Sequence, residues 1–201
     1  MLKKHDIAVL VSPIATDLPD FKDVDWIGVD FGFQVLLEHN IQPYFVIGDF
    51  DSKNEEIKLD CPVFIHPTHK DETDMELALM KAKEMGYSQI YICGAIGKRL
   101  DHTLANLRII GWQYPNVVVL DQNTRIRVLT KGQYEFKAQY SHISFFALEK
   151  TCISLDHFEY ELDQRWIDVQ DIYTCSNSIP NESATVTVYE GRVISVETNF
   201  R

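Results

Sequence analysis

Carboxylates fall in this chain at the places where metal–phosphate chemistry would use them. Gly48-Asp49-Phe50-Asp51-Ser52 comes directly after an apolar run at 44–47. Asp49 and Asp51 are two apart, so an extended backbone points both the same way. Asp71-Glu72-Thr73-Asp74 opens a helical pattern, where Asp71 and Asp74 share a face if the first turn is helical. Asp101 follows Gly94-Ala95-Ile96-Gly97-Lys98-Arg99-Leu100, again between a strand pattern and a helix pattern, and Asp30 ends a further apolar run. Each acid has an ordinary alternative, because Asp and Glu cap helices, complement their dipoles and occupy turns. Together they would repel one another on a shared edge. Hard divalent cations relieve such repulsion, and Mg²⁺ is the usual one where carboxylates serve a phosphate substrate. Arg99 in the same loop suits a phosphoryl oxygen; the plain alternative for Arg99, Lys98 and Lys70 is a solvated cation.

Other signals are weaker. Gly94-x-x-Gly97 can bring backbone N–H groups close to an anion, but it is neither a P-loop nor a dinucleotide fingerprint, and a structural turn would use the same residues. Ser12, Ser52 and Ser176 lack a nucleophile-elbow context. The seven histidines show no zinc spacing, although His66 and His69 are neighbours. His102, directly after Asp101, is the histidine to watch.

Alternating strand and helix patterns would position these groups. Strands are expected at 7–11, 26–29, 44–47, 63–65, 90–93 and 117–120, with helices at 32–39, 74–85 and 104–112. Asn40 reads as a left-handed helix cap, and Gly86 as another. That order predicts an open α/β sheet, whose ligand site lies beyond the carboxyl ends of its strands. All the acids above can reach that edge. From about Asn123 the texture changes to short apolar runs at 125–129, 142–147, 184–189 and 193–198. Glu190-Gly191 suggests a hairpin between the last two. The expected class is therefore α/β: an N-terminal open α/β sheet domain over 1–125, followed by a small C-terminal β-sandwich domain over 126–201.

Composition narrows the partners. The chain has 201 residues, 45% of them hydrophobic, which is enough to build a core. Its formal charge of −11 repels phosphate backbones and anionic lipid, so no nucleic acid and no membrane partner is expected. No spanning apolar stretch or signal-peptide pattern is seen. The four widely spaced cysteines read as reduced thiols, and a cytoplasmic location is expected.

The ordered blocks GDFDS (48–52), KDETDMELAL (70–79), GAIGKRLDHTLAN (94–106) and TCSN (174–177) resemble the thiamine pyrophosphokinase family. The likeness spans nearly the whole chain. It implies a homodimeric, Mg²⁺-dependent enzyme that transfers the pyrophosphoryl group of ATP to the hydroxyl of thiamine, giving thiamine diphosphate and AMP. It further implies an ATP- and Mg²⁺-binding catalytic domain followed by a thiamine-binding domain, with the thiamine pocket at the subunit interface. By motif position, Asp49, Asp51, Asp74 and Asp101 are the expected metal residues. Asp71, Asp101 and Arg99 are the expected catalytic ones, with the proton acceptor left open between Asp101 and Asp71. Asp30, Gly32, Gly94, Gly97 and His102 belong to the nucleotide side. Tyr160, Thr174, Ser176 and Asn177 belong to the thiamine side, where an acidic protein with aromatic groups suits a cationic substrate. One departure stands out: Asp30-Phe31-Gly32 occurs where the family usually has Asp-Gly-Gly. The rival readings are another Mg²⁺-dependent phosphotransferase or phosphatase, or a non-catalytic thiamine- or nucleotide-sensing module.

Overall fold

Five apolar runs become five parallel strands, and their order creates the crevice used below. In the computed structural model, which describes residues 3–50, 59–67, 69 and 71–199, these are β1 (Ile7–Val11), β2 (Asp25–Val29), β3 (Phe45–Gly48), β4 (Val63–Ile65) and β5 (Gln89–Cys93). They pair in the order β4-β3-β2-β1-β5. The chain steps outward from β1 to β4 and then returns to place β5 on the other side of β1. That reversal is a switch point, and the loops leaving β1 and β5 diverge there. β1 is buried along Ala8, Val9, Leu10 and Val11, as a central strand covered on both faces must be.

Three helices complete the first half: α1 (Gly32–Glu38), α2 (Asp74–Glu84) and α3 (Leu100–Trp112). α2 buries Met75, Leu77, Ala78, Leu79 and Ala82. Thr73 caps it, its Oγ1 accepting from the Glu76 N–H at 3.2 Å, and the acids Asp74 and Glu76 complement the helix dipole in the first turn. Asn40 and Gly86 do take left-handed φ values, 58° and 75°, just past α1 and α2. α3 begins one turn earlier than the 104–112 pattern indicates, because Leu100 and Leu104 are apolar residues on an exposed face.

β6 (Val117–Asp121) leads into a run of antiparallel strands: β7 (Thr124–Leu129), β8 (Gly132–Lys137), β9 (His142–Ala147), β10 (Thr151–Asp156), β11 (Leu162–Ile167), β12 (Ser183–Glu190) and β13 (Val193–Thr198). β7, β13 and β9 form one ladder; β11-β10-β12-β8 is a separate four-stranded sheet. Alternate residues of both meet in one core, where the rings of Phe136, Phe145 and Phe158 lie 5.6–6.1 Å apart. This is a sandwich. Glu190-Gly191 does not close a hairpin, however. β12 pairs with β10 and β8, whereas β13 pairs with β7 and β9, so the turn carries the chain from one sheet to the other. Both strands alternate toward the same core from opposite sides, which is why their sequences look like hairpin partners.

Backbone proximity divides the chain into two compact units. The first is Met1–Ile109 with Val119–Gln122, the second Ile110–Val118 with Asn123–Arg201. Among the described residues, no helix is long and apolar enough to cross a membrane.

Candidate active site

The carboxyl ends of β1, β2 and β5 border a pocket of about 230 Å³ in the first unit. Its wall includes Ser12, Ile14, Asp30, Thr73, Asp74, Met75, Gly94, Lys98, Arg99, His102, Thr103 and Asn106. Local bonds fix that rim. Ser12 donates its N–H to Cys93 O (3.1 Å) and its hydroxyl to Gly94 O (2.7 Å), tying the ends of β1 and β5 together. Gly94 has φ +80°, and a Cβ there would stand 2.4 Å from Ser12 Oγ and 2.7 Å from Ala15 N, so both conformation and space require glycine. Asn106, on α3 and nearly buried, donates Nδ2 to Ala95 O at 2.9 Å. Thr103 Oγ1 accepts from the Gly97 N–H at 3.2 Å. The Gly97 N–H is therefore used within the loop, although Gly94 lines the pocket.

Acids and bases share this rim. Asp30 follows β2 at φ 50°, an uncommon conformation for a side-chain-bearing residue, and its N–H donates to Ile47 O at 2.8 Å. Asp74 opens α2, which packs beside β3; Asp49 lies just beyond the end of β3 and is not part of the pocket wall. Arg99 reaches Asp101 with two bonds, Nε to Oδ1 at 3.2 Å and Nη2 to Oδ2 at 2.5 Å. The Arg99 hydrogen bonds hold the Asp101 carboxyl down to about 2. Both side chains remain exposed, so this pair is open to exchange with an anionic ligand.

Of the residues expected on the nucleotide and metal side, Asp30, Asp74, Gly94, Arg99 and His102 line one pocket, and Asp101 joins it through Arg99. Asp71 is exposed and off the pocket wall. Gly32 is buried at the start of α1, where a Cβ would lie 1.8 Å from Val11 O, so close packing accounts for it. Asp51 lies outside the described residues. Ser12, Thr73, Met75, Thr103 and Asn106 were not singled out from sequence. Thr73-x-x-Glu76 has a capping signature; Met75, Thr103 and Asn106 sit within the quoted blocks with nothing to distinguish them, and Ser12 reads only as a serine without an elbow.

Among the described residues, no three His, Cys, Asp or Glu side chains converge closely enough to hold a metal ion. Mg²⁺ commonly takes only one or two protein carboxylates and draws its remaining ligands from phosphate and water. Asp49 and Asp74 offer hard oxygen donors at neighbouring element ends. The donor chemistry thus fits Mg²⁺ carried in with a nucleotide.

The second unit gathers Tyr160, Thr174, Ser176 and Asn177. Residues 174–177 run along β9: Phe145 N–H donates to Thr174 O at 3.0 Å, and Ile143 and Asn177 exchange backbone bonds at 2.8 and 2.9 Å. Thr174 is buried and donates its hydroxyl to Phe145 O. Asn177 is 3% exposed. Its Oδ1 accepts from Tyr160 N–H (3.0 Å) and Ser178 N–H (2.9 Å), and its Nδ2 donates to Tyr160 O (2.8 Å). Its amide is spent on holding Tyr160, whose own side chain is 69% exposed. Ser176 is exposed at φ 60°, and its N–H donates to the Oγ of buried Ser144 at 2.9 Å. The hydroxyls of Ser144 and Ser176 beside exposed Cys175 lower its thiol.

Comparison with known proteins converges on one family. Residues 22–120 match the family model described as thiamin pyrophosphokinase, catalytic domain. The thiamine pyrophosphokinase of Bacillus subtilis (strain 168) is 30% identical over 186 residues, covering 85% of this chain and 86% of its own. The crystal structure of thiamine pyrophosphokinase from Bacillus subtilis superposes with a TM-score of 0.85 at 26% identity, over 97% of this chain and all of that one. That from Geobacillus thermodenitrificans gives 0.84 at 30% identity, over 96% and 98%.

Proposed function

The chain belongs to the thiamin pyrophosphokinase family, and from that premise we propose that it moves the pyrophosphoryl group of ATP to the hydroxyl of thiamine, releasing AMP. The observation that carries this reading is the pocket at the strand switch point, where Asp30, Asp74, Arg99 and His102 meet. In this proposal the first unit binds ATP and Mg²⁺, and the second supplies thiamine contacts. The protein acts as a cytoplasmic homodimer with the thiamine pocket at the subunit interface.

The thiamine hydroxyl attacks the β-phosphorus, the bond from that phosphorus to the α–β bridging oxygen breaks, and AMP departs with that oxygen. Positioning and charge neutralisation supply most of the catalysis in such transfers. Arg99 donates to phosphoryl oxygen once it leaves Asp101. Lys98 and His102 stand on the same wall to meet the phosphate chain. The hydroxyl proton passes to a carboxylate. Asp101 beside the pocket and Asp71 before α2 are the two candidates for that role. Mg²⁺, held by Asp49, Asp51 and Asp74 with Asp101 nearby, would neutralise charge on the phosphates. Ser176 and the Tyr160 ring, both exposed, are the thiamine contacts in this proposal, with Asn177 and Thr174 fixing the backbone that carries them.

Incubating the protein with ATP, Mg²⁺ and thiamine and separating the products by chromatography tests the reaction. Thiamine diphosphate and AMP in equal amounts, abolished by a chelator, are the expected result. ADP with thiamine monophosphate would reassign it to simple phosphoryl transfer.

A further inference from the structure

Phe31 places a benzyl group in the turn between β2 and α1, and that ring has two aromatic neighbours. Its centroid lies 5.9 Å from that of Phe33 and 5.9 Å from that of Phe50, meeting Phe50 edge-on at 86°. Phe50 is 8% exposed and packs with Val46 and Phe33, with Leu59 and Val63 at the margin. It directly follows Asp49 and holds φ 54°, a left-handed conformation that a phenylalanine keeps only where its surroundings enforce it. The two turns also touch through their backbones. Asp30 N–H donates to Ile47 O, and a Cβ on Gly48 would stand 2.8 Å from Asp30 Cα.

The turn carrying Asp30 and the turn carrying Asp49 are thus joined at two points, one of backbone and one of rings. We infer that Phe31 is a positioning residue for Asp49: its ring holds Phe50 in the left-handed turn and so fixes where the Asp49 carboxylate is presented. This rests on the reading of Asp49 as a metal residue given above. An edge-on aromatic pair contributes enough to change the population of the held conformation about fivefold.

The test is a titration with Mn²⁺ in the presence of the non-cleavable α,β-methylene analogue of ATP, followed by electron paramagnetic resonance, together with hydrogen exchange at the Asp49 and Phe50 amides. The wild type is compared with Phe31→Ala, Phe31→Leu, Phe31→Tyr and Asp49→Asn. Expected are about fivefold weaker Mn²⁺ binding and faster exchange in Phe31→Ala, smaller changes of the same sign in Phe31→Leu, and recovery in Phe31→Tyr. Should Phe31→Ala not fold, Phe31→Leu against Phe31→Tyr carries the comparison. Wild-type Mn²⁺ binding in both Phe31→Ala and Phe31→Leu, with Asp49→Asn impaired, would overturn the positioning role alone. Wild-type binding in Asp49→Asn would overturn it together with the metal reading.

Discussion

Arg99 and Asp101 each satisfy the other's charge at a place where a phosphate would compete for one of them. The carboxyl sits near 2 because Arg99 bonds it twice. Its depressed value keeps the carboxylate ionised below the ordinary range near 4, so the pairing contributes fully above about 4 and is lost as pH falls through about 2. In Arg99→Ala, the Asp101 titration followed by carboxyl ¹³C NMR should return to about 4; a midpoint still near 2 would show that Arg99 is not the cause. Asn177 makes the complementary point in the second unit. Its place in the TCSN segment was legible from sequence, but its burial was not, because that depends on Tyr160, 17 positions away. Asn177→Ala strands the Tyr160 N–H and should cost about 1–3 kcal/mol of stability. It should also raise the KM for thiamine about tenfold, roughly 1.4 kcal/mol in binding terms, with KM for ATP unchanged. An unchanged KM for thiamine would detach residues 174–177 from the substrate.

At the scale of elements, apolar periodicity located β1 to β3, β5, β9 and β13 within a residue or so of their ends, since each is buried on at least one face; β4 showed as an apolar run although none of its three residues is buried. β11 had no such signal: Asp163 to Trp166 are exposed on an edge strand, leaving no alternation to read. No strand is expected over β8 or β10 either, where polar and turn residues interrupt the apolar ones. The strand order was not legible either, and it is what defines the crevice between β1 and β5. Ser12 and Asn106 gain their importance only from that crevice; Asn106 closes the GAIGKRLDHTLAN block, but nothing in the sequence distinguishes its role there. The loop after β5 is the element most sensitive to change. Gly94→Ala forces a side chain into a left-handed position against Ser12 and Ala15, and should cost about 2–4 kcal/mol. Urea denaturation measures this, and a loss below about 0.5 kcal/mol would mean the loop has room to adapt.

For the molecule as a whole, the charge of −11 sets how the two substrates arrive. Mg²⁺-bound ATP is an anion and thiamine a cation, so screening should act on them in opposite directions. Raising KCl from about 20 to about 200 mM shortens the range of the field. It should increase kcat/KM for MgATP and decrease it for thiamine by a fewfold each; parallel changes would point instead to a general effect of salt on the fold. The central claim concerns which bond is cut, and ATP radiolabelled at the β-phosphorus tests it most directly. With thiamine and Mg²⁺ present, the label should pass into the thiamine product and leave unlabelled AMP. Label retained in ADP, with only the γ-phosphoryl group moved, would contradict pyrophosphoryl transfer at this site.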